Sequence, residues 1–471
     1  MKKVFFLLTL LPYLVGFTQE LQTPRCIFDS LIQEAYKSED FRILMYHEEQ
    51  DFQDILKNKS SLSENSSIPV VIHIVKNTND TDMNITDEMV YRQLEILNET
   101  YNQNNTDVEI TPEFFEPLIG NVGFEFCLAT VDPLGYSTTG ITRTYTDVSV
   151  FSTVSNNIKY ASEGGVDAWD TDSYLNIWVG KLSSSILGYS HIPSTSVPDQ
   201  EHGVVINYPF FGETNHSFYN MGKTLVHEIG HYFNLKHPWG NGNCDQNNDW
   251  VDDTPTSESA YAGSPVHPQT SCETVDMFMN FMDYVYDSSM VMFSIGQAER
   301  MQTALQYLRP GLLESNGCGI PSLIAKPAIL HASEVNANDA SIELNIVSGI
   351  PPFTILWESG EETNHLADIA TGSYSVTITD SIGQELILDL VVSHYGLVYD
   401  SDNFESYNLD SLLDDQSDDW FAFCLDTFSA NISSVSAPEG LQYLEINSID
   451  GTNTLARNLG EFSSNAYELS F

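Results

Sequence analysis

Apolar positions change rhythm along this chain. Residues 68–75, IPVVIHIV, are apolar almost throughout and rich in β-branched side chains, the pattern of a strand buried on both faces. ITDEMVYRQLEILNETYNQ follows, with Met89, Leu94, Leu97 and Tyr101 roughly on one helical face and Thr86 where an N-cap belongs. VGFEFCLATVD, SYLNIWVG and HGVVINY read as further strands. NMGKTLVHEIGHYF reads as a helix capped near Asn220, and FSIGQAERMQTALQYLRPG as a late helix stopped by Pro310 and Gly311. Strands followed by helices predict an α+β domain over 67–320. Beyond it the period becomes two, as in ASIELNIVSGIPPFTILWESGEE and GSYSVTITDSIGQELILDLVV. That predicts an all-β, sandwich-like module over 321–397. A further β-rich module begins at 398 and runs to 471, where YELSF reads as an unfinished strand of a longer protein.

The first residues, MKKVFFLLTLLPYLVGFTQE, place two lysines before a short apolar run and end in small or polar residues. This is a secretory signal over 1–18, cleaved near Thr18–Gln19. The run is too short to span a bilayer, and no second apolar stretch of about 18 residues follows, so the reading is a secreted, extracellular protein without a membrane span. Residues 19–66 are polar with slight helical periodicity and end in KNKSSLSENSS, a pro-segment and its linker.

Charge removes one class of partner. With 18 basic and 66 acidic residues the formal net charge is −48, whereas binding nucleic acid requires a basic face. The acids serve solubility or calcium. None of the six cysteines shows CxxC spacing, so a cysteine-built zinc site is not expected, and a secreted chain permits disulfides. Cys127, in an apolar strand, reads as a buried free thiol.

The chemistry concentrates in HEIGHYFNLKH, residues 227–237. His227 and His231 lie one helical turn apart and can bind one ion at about 2.0–2.1 Å each. Glu228 points beside them, placed to reach a metal-bound water and badly placed as a third ligand on that face. His237 joins the pair only if the chain turns sharply after His231, and Asn234 is the residue suited to a left-handed turn there.

The extended motif resembles HExxHxxGxxH, the zinc signature of the metzincins, and MNFMDY (279–284) resembles their Met-turn. HPWG, VDDTP, DMFMNFMDY and MFSIGQ are similar to segments of the pappalysin family, which includes ulilysin and cytophagalysin; the similarity covers roughly 68–310 and is strongest around 222–300. The resemblance implies a twisted mixed sheet, an active-site helix and a smaller C-terminal subdomain. Carried over, His227, His231 and His237 are zinc ligands, Glu228 is general base and acid, Met282 is the Met-turn residue, and Tyr284 swings to the zinc or steadies the oxyanion. The implied activity is a zinc endopeptidase acting on proteins or peptides through zinc-activated water.

Further expectations follow from the resemblance. Asp287 stands where some relatives carry an acid that favours Lys or Arg at P1′; a solvated loop aspartate is the competing reading. Asp249, Asp252 and the backbone of Thr254 match a structural calcium site, with a solvated acidic loop as the alternative. Cys244 and Cys272 match a family disulfide, while Ser264 and Ser289 stand where the family's second bridge has been lost. Cys26, in TPRCIFD, is reminiscent of a metzincin cysteine switch without its following glycine; pairing with another cysteine is the rival. If basic P1′ residues are preferred, self-cleavage before Lys57 or Lys59 would activate the enzyme. A protein of another class, a secreted adhesin with a degenerate peptidase domain, would use its β-modules alone; their texture is of the PKD or Ig-like kind. The intact Glu228 argues against that reading. In the peptidase reading the β-modules hold the enzyme near a cell surface, matrix or secretion route. Substrate, activation site, module ligand and the pairing of Cys26, Cys127, Cys318 and Cys424 are not legible.

Overall fold

A computed structural model of the chain describes Cys26, residues 37–58, 67–183, 186–240, 244 and 249–394, and four short strands between 420 and 457. The signal segment 1–18 and Cys424 lie outside the described residues. The chain divides into two units, Met1–Pro321 and Ser322–Phe471.

The first unit is built around β1 (Ser67–Asn77), whose side chains are buried on both faces as its unbroken apolar run requires. One edge of β1 pairs in parallel first with β2 (Glu125–Leu128) and then with β3 (Ile141–Thr146). On the other side come β4 (Leu175–Gly180), β6 (Val204–Asn207) and the antiparallel edge strand β5 (Gly188–Ser190). The polar interruption in β1, His73, is fully buried between Thr142 Oγ1 at 2.8 Å and Asn176 Oδ1 at 3.0 Å.

Among the described residues this unit carries five helices: α1 (Glu39–Lys57), α2 (Asp87–Tyr101), α3 (Lys223–Tyr232), α4 (Ile295–Tyr307) and the single turn α5 (Gly311–Glu314). The Thr86 hydroxyl caps α2 by accepting from Met89 N–H. Tyr101 from α2 is buried and donates its hydroxyl to Val226 O inside α3. All ten residues of α3 are buried, so this helix runs through the interior rather than over the surface.

Two predicted boundaries move. The N-cap of α3 is Gly222, at φ +69°, and not Asn220. The start is instead fixed from α2, where Gln93 Nε2 donates to Gly222 O. Pro310 and Gly311 do not merely stop α4: α4 ends at Tyr307, and Pro310 caps the new turn α5. Proline lacks only an N–H that a first turn leaves unused, so it opens a helix as readily as it ends one.

In the second unit, strands at Ile324–Leu330, Ala340–Ser348 and His365–Ile369 form one antiparallel sheet, and strands at Thr354–Trp357, Gly372–Thr379 and Glu385–Val392 form another. Both contribute to one buried cluster that includes Ile342, Leu344, Trp357, Val376 and Ile378.

Two disulfides are present among the described residues. Cys244 pairs with Cys272, and Cys127 with Cys318. The second pairing corrects the expectation that Cys127 is a free thiol. Its side chain is only half-buried in β2, at the edge of the sheet, where the segment after α5 returns to meet it. Local apolar content could not reveal a partner 191 residues away.

Candidate active site

The site grows from α3. His227 and His231 are one turn apart and both are fully buried. His227 Nδ1–H donates to Phe281 O at 2.8 Å, and His231 Nδ1–H donates to Leu235 O at 2.8 Å. A carbonyl can only accept, so each ring keeps its lone pair on Nε2. After Tyr232 the chain reverses through Asn234 at φ +73°, the left-handed turn expected from its sequence. The reversal delivers His237, whose Nε2 lies 3.1 Å from His231 Nε2 and 3.3 Å from His227 Nε2. Trp239 stacks on the His237 ring at 4.3 Å between centroids.

Nitrogen lone pairs facing one another at this spacing repel unless a cation lies between them. The spacing is close to that of three ligands held at about 2.0–2.1 Å from one tetrahedral centre. The donor set therefore fits zinc, and backbone carbonyls supply the outer hydrogen bonds that fix the tautomers. Cys26 Sγ joins these three histidines in a group whose candidate ligand atoms all lie within 4.8 Å of one another.

Glu228 is fully buried, and its Oε2 accepts from Cys26 Sγ at 3.4 Å. Room for this carboxylate depends on Gly188 in β5, where a Cβ would stand 3.1 Å from Glu228 Cγ and 2.9 Å from Val205 O. Cys26 bridges this same Gly188, runs parallel to it, and is in no disulfide among the described residues. Tyr284 donates its hydroxyl to Cys26 O at 3.2 Å, with its ring 4.9 Å from that of His237.

Below the histidines the turn at 279–284 closes the floor. Met282 is fully buried, and its backbone N–H donates to Asn280 Oδ1. A Cβ on Gly230 would stand 2.4 Å from Met282 Sδ, so helix and turn touch with no room for a methyl group. Asp287 is buried, not solvated, and its Oδ2 accepts from Met221 N–H at 2.8 Å. Asp249 is buried and accepts from Thr254 Oγ1 at 2.6 Å, whereas Asp252 is exposed. Desolvation lifts the Asp249 carboxyl to about 7 against the hydrogen bonds from Thr254 and Val251.

Three basic residues escaped the sequence reading. Lys223, at the first turn of α3, is buried, pairs with Asp107, and donates to Asp287 O and Met290 O. Arg309 Nε donates to Tyr232 O, and Arg300 Nε donates to Asn234 O. The last two bring cations to the C-terminal end of α3, where helix carbonyls concentrate negative potential. Their signal was legible only as arginines in an otherwise strongly acidic chain.

This fold and this site define a zinc metalloendopeptidase of the metzincin type. The Pregnancy-associated plasma protein-A peptidase family matches residues 159–306. An extracellular metalloprotease of Arthroderma gypseum is 30% identical over 256 residues, which is 53% of this chain and 75% of that protein. Mature mirolysin of Tannerella forsythia, solved with a cleaved peptide, is 38% identical with a TM-score of 0.52, covering 55% of this chain and all of that one. A promirolysin mutant from the same organism is 36% identical with a TM-score of 0.56, covering 63% of this chain and 97% of that one. The chain belongs to the pappalysin family of zinc metallopeptidases.

Proposed function

We propose that the protein is a secreted endopeptidase synthesised as a latent precursor, with His227, His231 and His237 holding zinc and Glu228 as general base and acid. The observation that carries this reading is the convergence of three Nε2 atoms beside one buried glutamate. When bound, zinc supplies Lewis acidity toward a peptide carbonyl and lowers the pKa of a neighbouring water. Glu228, packed against the glycine of the edge strand, takes a proton from that water and returns it to the leaving amine. Tyr284 turns from Cys26 O toward the reacting carbonyl once the N-terminal segment leaves. Once the N-terminal segment leaves, the side of β5 that Cys26 bridges receives the substrate backbone as an added strand.

Latency rests on Cys26. With zinc bound, a Cys26 thiolate would hold the ion together with the three imidazoles and keep water from it. The longer coverage of promirolysin than of mature mirolysin supports reading residues 19–66 as a pro-segment. Extracellular relatives, two disulfides and the apolar leader support secretion. Asp287 serves as the acid of a P1′ pocket for Lys or Arg, a role supported by its burial beside the first turn of α3. Self-cleavage before Lys57, in the last turn of α1, or before Lys59 follows from that preference. A calcium ion at Asp249, Asp252 and the Thr254 carbonyl is supported by the proximity of Asp249 to Thr254, from whose hydroxyl it accepts. The C-terminal β-modules hold the enzyme near a surface or secretion route.

Cleavage-site profiling of a denatured protein mixture tests this function, run beside Glu228→Ala and a chelator control. Cuts before Lys or Arg that vanish in both controls support mechanism and pocket together. Cuts elsewhere keep the mechanism and discard Asp287. No cuts from a zinc-loaded domain freed of residues 19–66 overturn the peptidase reading.

A further inference from the structure

The pro-segment reading, on which this inference rests, explains Cys26 but not Glu49. Glu49 sits in the middle of α1 and is buried. Its Oε1 and Oε2 accept from Arg300 Nη1 and Nη2 at 2.7 Å each, a two-pronged pair, and Lys236 Nζ stands 3.5 Å from Oε2. Phe52, one turn further on, lies 4.8 Å from the Arg300 guanidinium. Arg300 is fully buried, yet it belongs to α4 of the catalytic unit, 251 residues from Glu49. Its Nε–H is committed to Asn234 O, so the fork is held rigidly toward α1.

A buried guanidinium deprived of its carboxylate is costly, and bidentate geometry selects a carboxylate over other acceptors. The site is therefore built for an acid. Arg300 meets the turn before His237 at Asn234 O, whereas Cys26 Sγ meets Glu228. The same helix reaches Cys26 through Met45 and Phe41, which pack with it and with Ile192 and Tyr284.

We propose that Arg300, with Lys236 beside it, forms a carboxylate-binding slot on the catalytic unit whose ligand is the Glu49–Phe52 face of α1. The slot anchors the inhibitory helix separately from the thiol and fixes Cys26 over the histidines by holding the helix that backs it. Glu49 is thus a positioning residue for latency. Loss of its charge leaves the thiol in place chemically but lets it leave the site.

The test measures iodoacetamide labelling of Cys26 in the full chain, in a Glu228→Ala background that cannot process itself. Mass spectrometry of the Cys26 peptide gives the rate. Glu49→Gln raises that rate tenfold or more, and Glu39→Gln, on the exposed first turn, leaves it unchanged. Arg300→Lys, which keeps the charge and loses the fork, raises it as well and reads the slot should Glu49→Gln not yield soluble protein. Equal labelling in all variants overturns the slot. N-terminal sequencing of the self-processed wild type is read separately. If residues 37–58 stay covalently attached to the active enzyme, the pro-segment reading fails, whatever the labelling shows.

Discussion

Cys26 Sγ lies 3.4 Å from Glu228 Oε2, although 202 residues separate them in sequence. One contact therefore occupies both the space beside the histidines and the carboxylate that moves the proton. Cys26→Ser keeps the size of the side chain and removes the soft ligand. It is expected to shorten the lag before activity about tenfold, the change produced by about 1.4 kcal/mol of lost blocking contact. Progress curves of peptide cleavage by freshly purified full-length protein read the lag, and an unchanged lag removes the thiol from latency.

The packing of α3 on the turn below it predicts an asymmetry. Gly230→Ala forces a methyl group toward Met282 Sδ, where a Cβ would stand at 2.4 Å. Overpacking of this kind costs about 1–3 kcal/mol. Met282→Leu conserves volume and should cost less than about 1.5 kcal/mol. Thermal unfolding of the two variants orders them, and a Gly230→Ala protein as stable as wild type contradicts the contact.

Lys223 ties the start of α3 to the segment after the turn at 279–284, through Asp287 O and Met290 O. Lys223→Met leaves the part-exposed Asp107 and the two buried carbonyls without their donor, a loss of about 1–3 kcal/mol. Because Asp287 is held by the same residue, KM for substrates with a basic P1′ residue should rise more than kcat falls. Denaturant unfolding and steady-state kinetics check the two halves separately.

How much of this was legible follows from distance along the chain. The three histidines, Glu228 and the left-handed Asn234 lie within one short segment, where local geometry governs placement. IPVVIHIV carries its own burial pattern, and Thr86 its own cap. The Cys127–Cys318 bridge, Lys223 with Asp107, and Arg300 with Glu49 each join residues more than 100 positions apart, separated by 191, 116 and 251. Their chemistry is decided by what the fold brings together, and no periodicity encodes it. Gly222 shows the same limit on a small scale, since the start of α3 is set by Gln93 from another helix.

The Cys127–Cys318 bridge closes most of the catalytic unit into one loop, with a separation of 191 residues. Closing so long a loop restricts the unfolded chain strongly, and removal of a native disulfide costs about 2–5 kcal/mol. Replacing both cysteines by alanine should lower the unfolding midpoint while leaving the site, which lies elsewhere in the unit, able to cleave peptide at low temperature. Loss of activity without loss of stability contradicts this account.

Acid should destabilise the catalytic unit through its buried histidines. Burial holds the His73 imidazole down at about 4, against the hydrogen bond it donates to Asn176 Oδ1. Burial, with Lys159 and His202 nearby, holds His191 at about 3. His202 is lowered to about 4 by burial and by Arg309 and Lys159. An imidazole whose folded pKa lies below its unfolded value near 6.5 stays neutral in the native state while the unfolded chain takes up a proton. Stability is therefore full above about 6.5 and is lost as pH falls toward 4, with a slope of at most about 1.4 kcal/mol per pH unit for each of His73 and His191. Glu49 adds a lower window. Burial alone would raise its carboxyl, but Arg300 and Lys236 outweigh burial and leave it lowered, so its contribution is present above about 4.5 and fades below that. Urea midpoints between pH 7 and 4 should fall in wild type and fall less steeply in His73→Asn, a variant that stays polar and cannot be protonated. Parallel pH profiles for the two proteins exclude His73 as a source of the acid sensitivity.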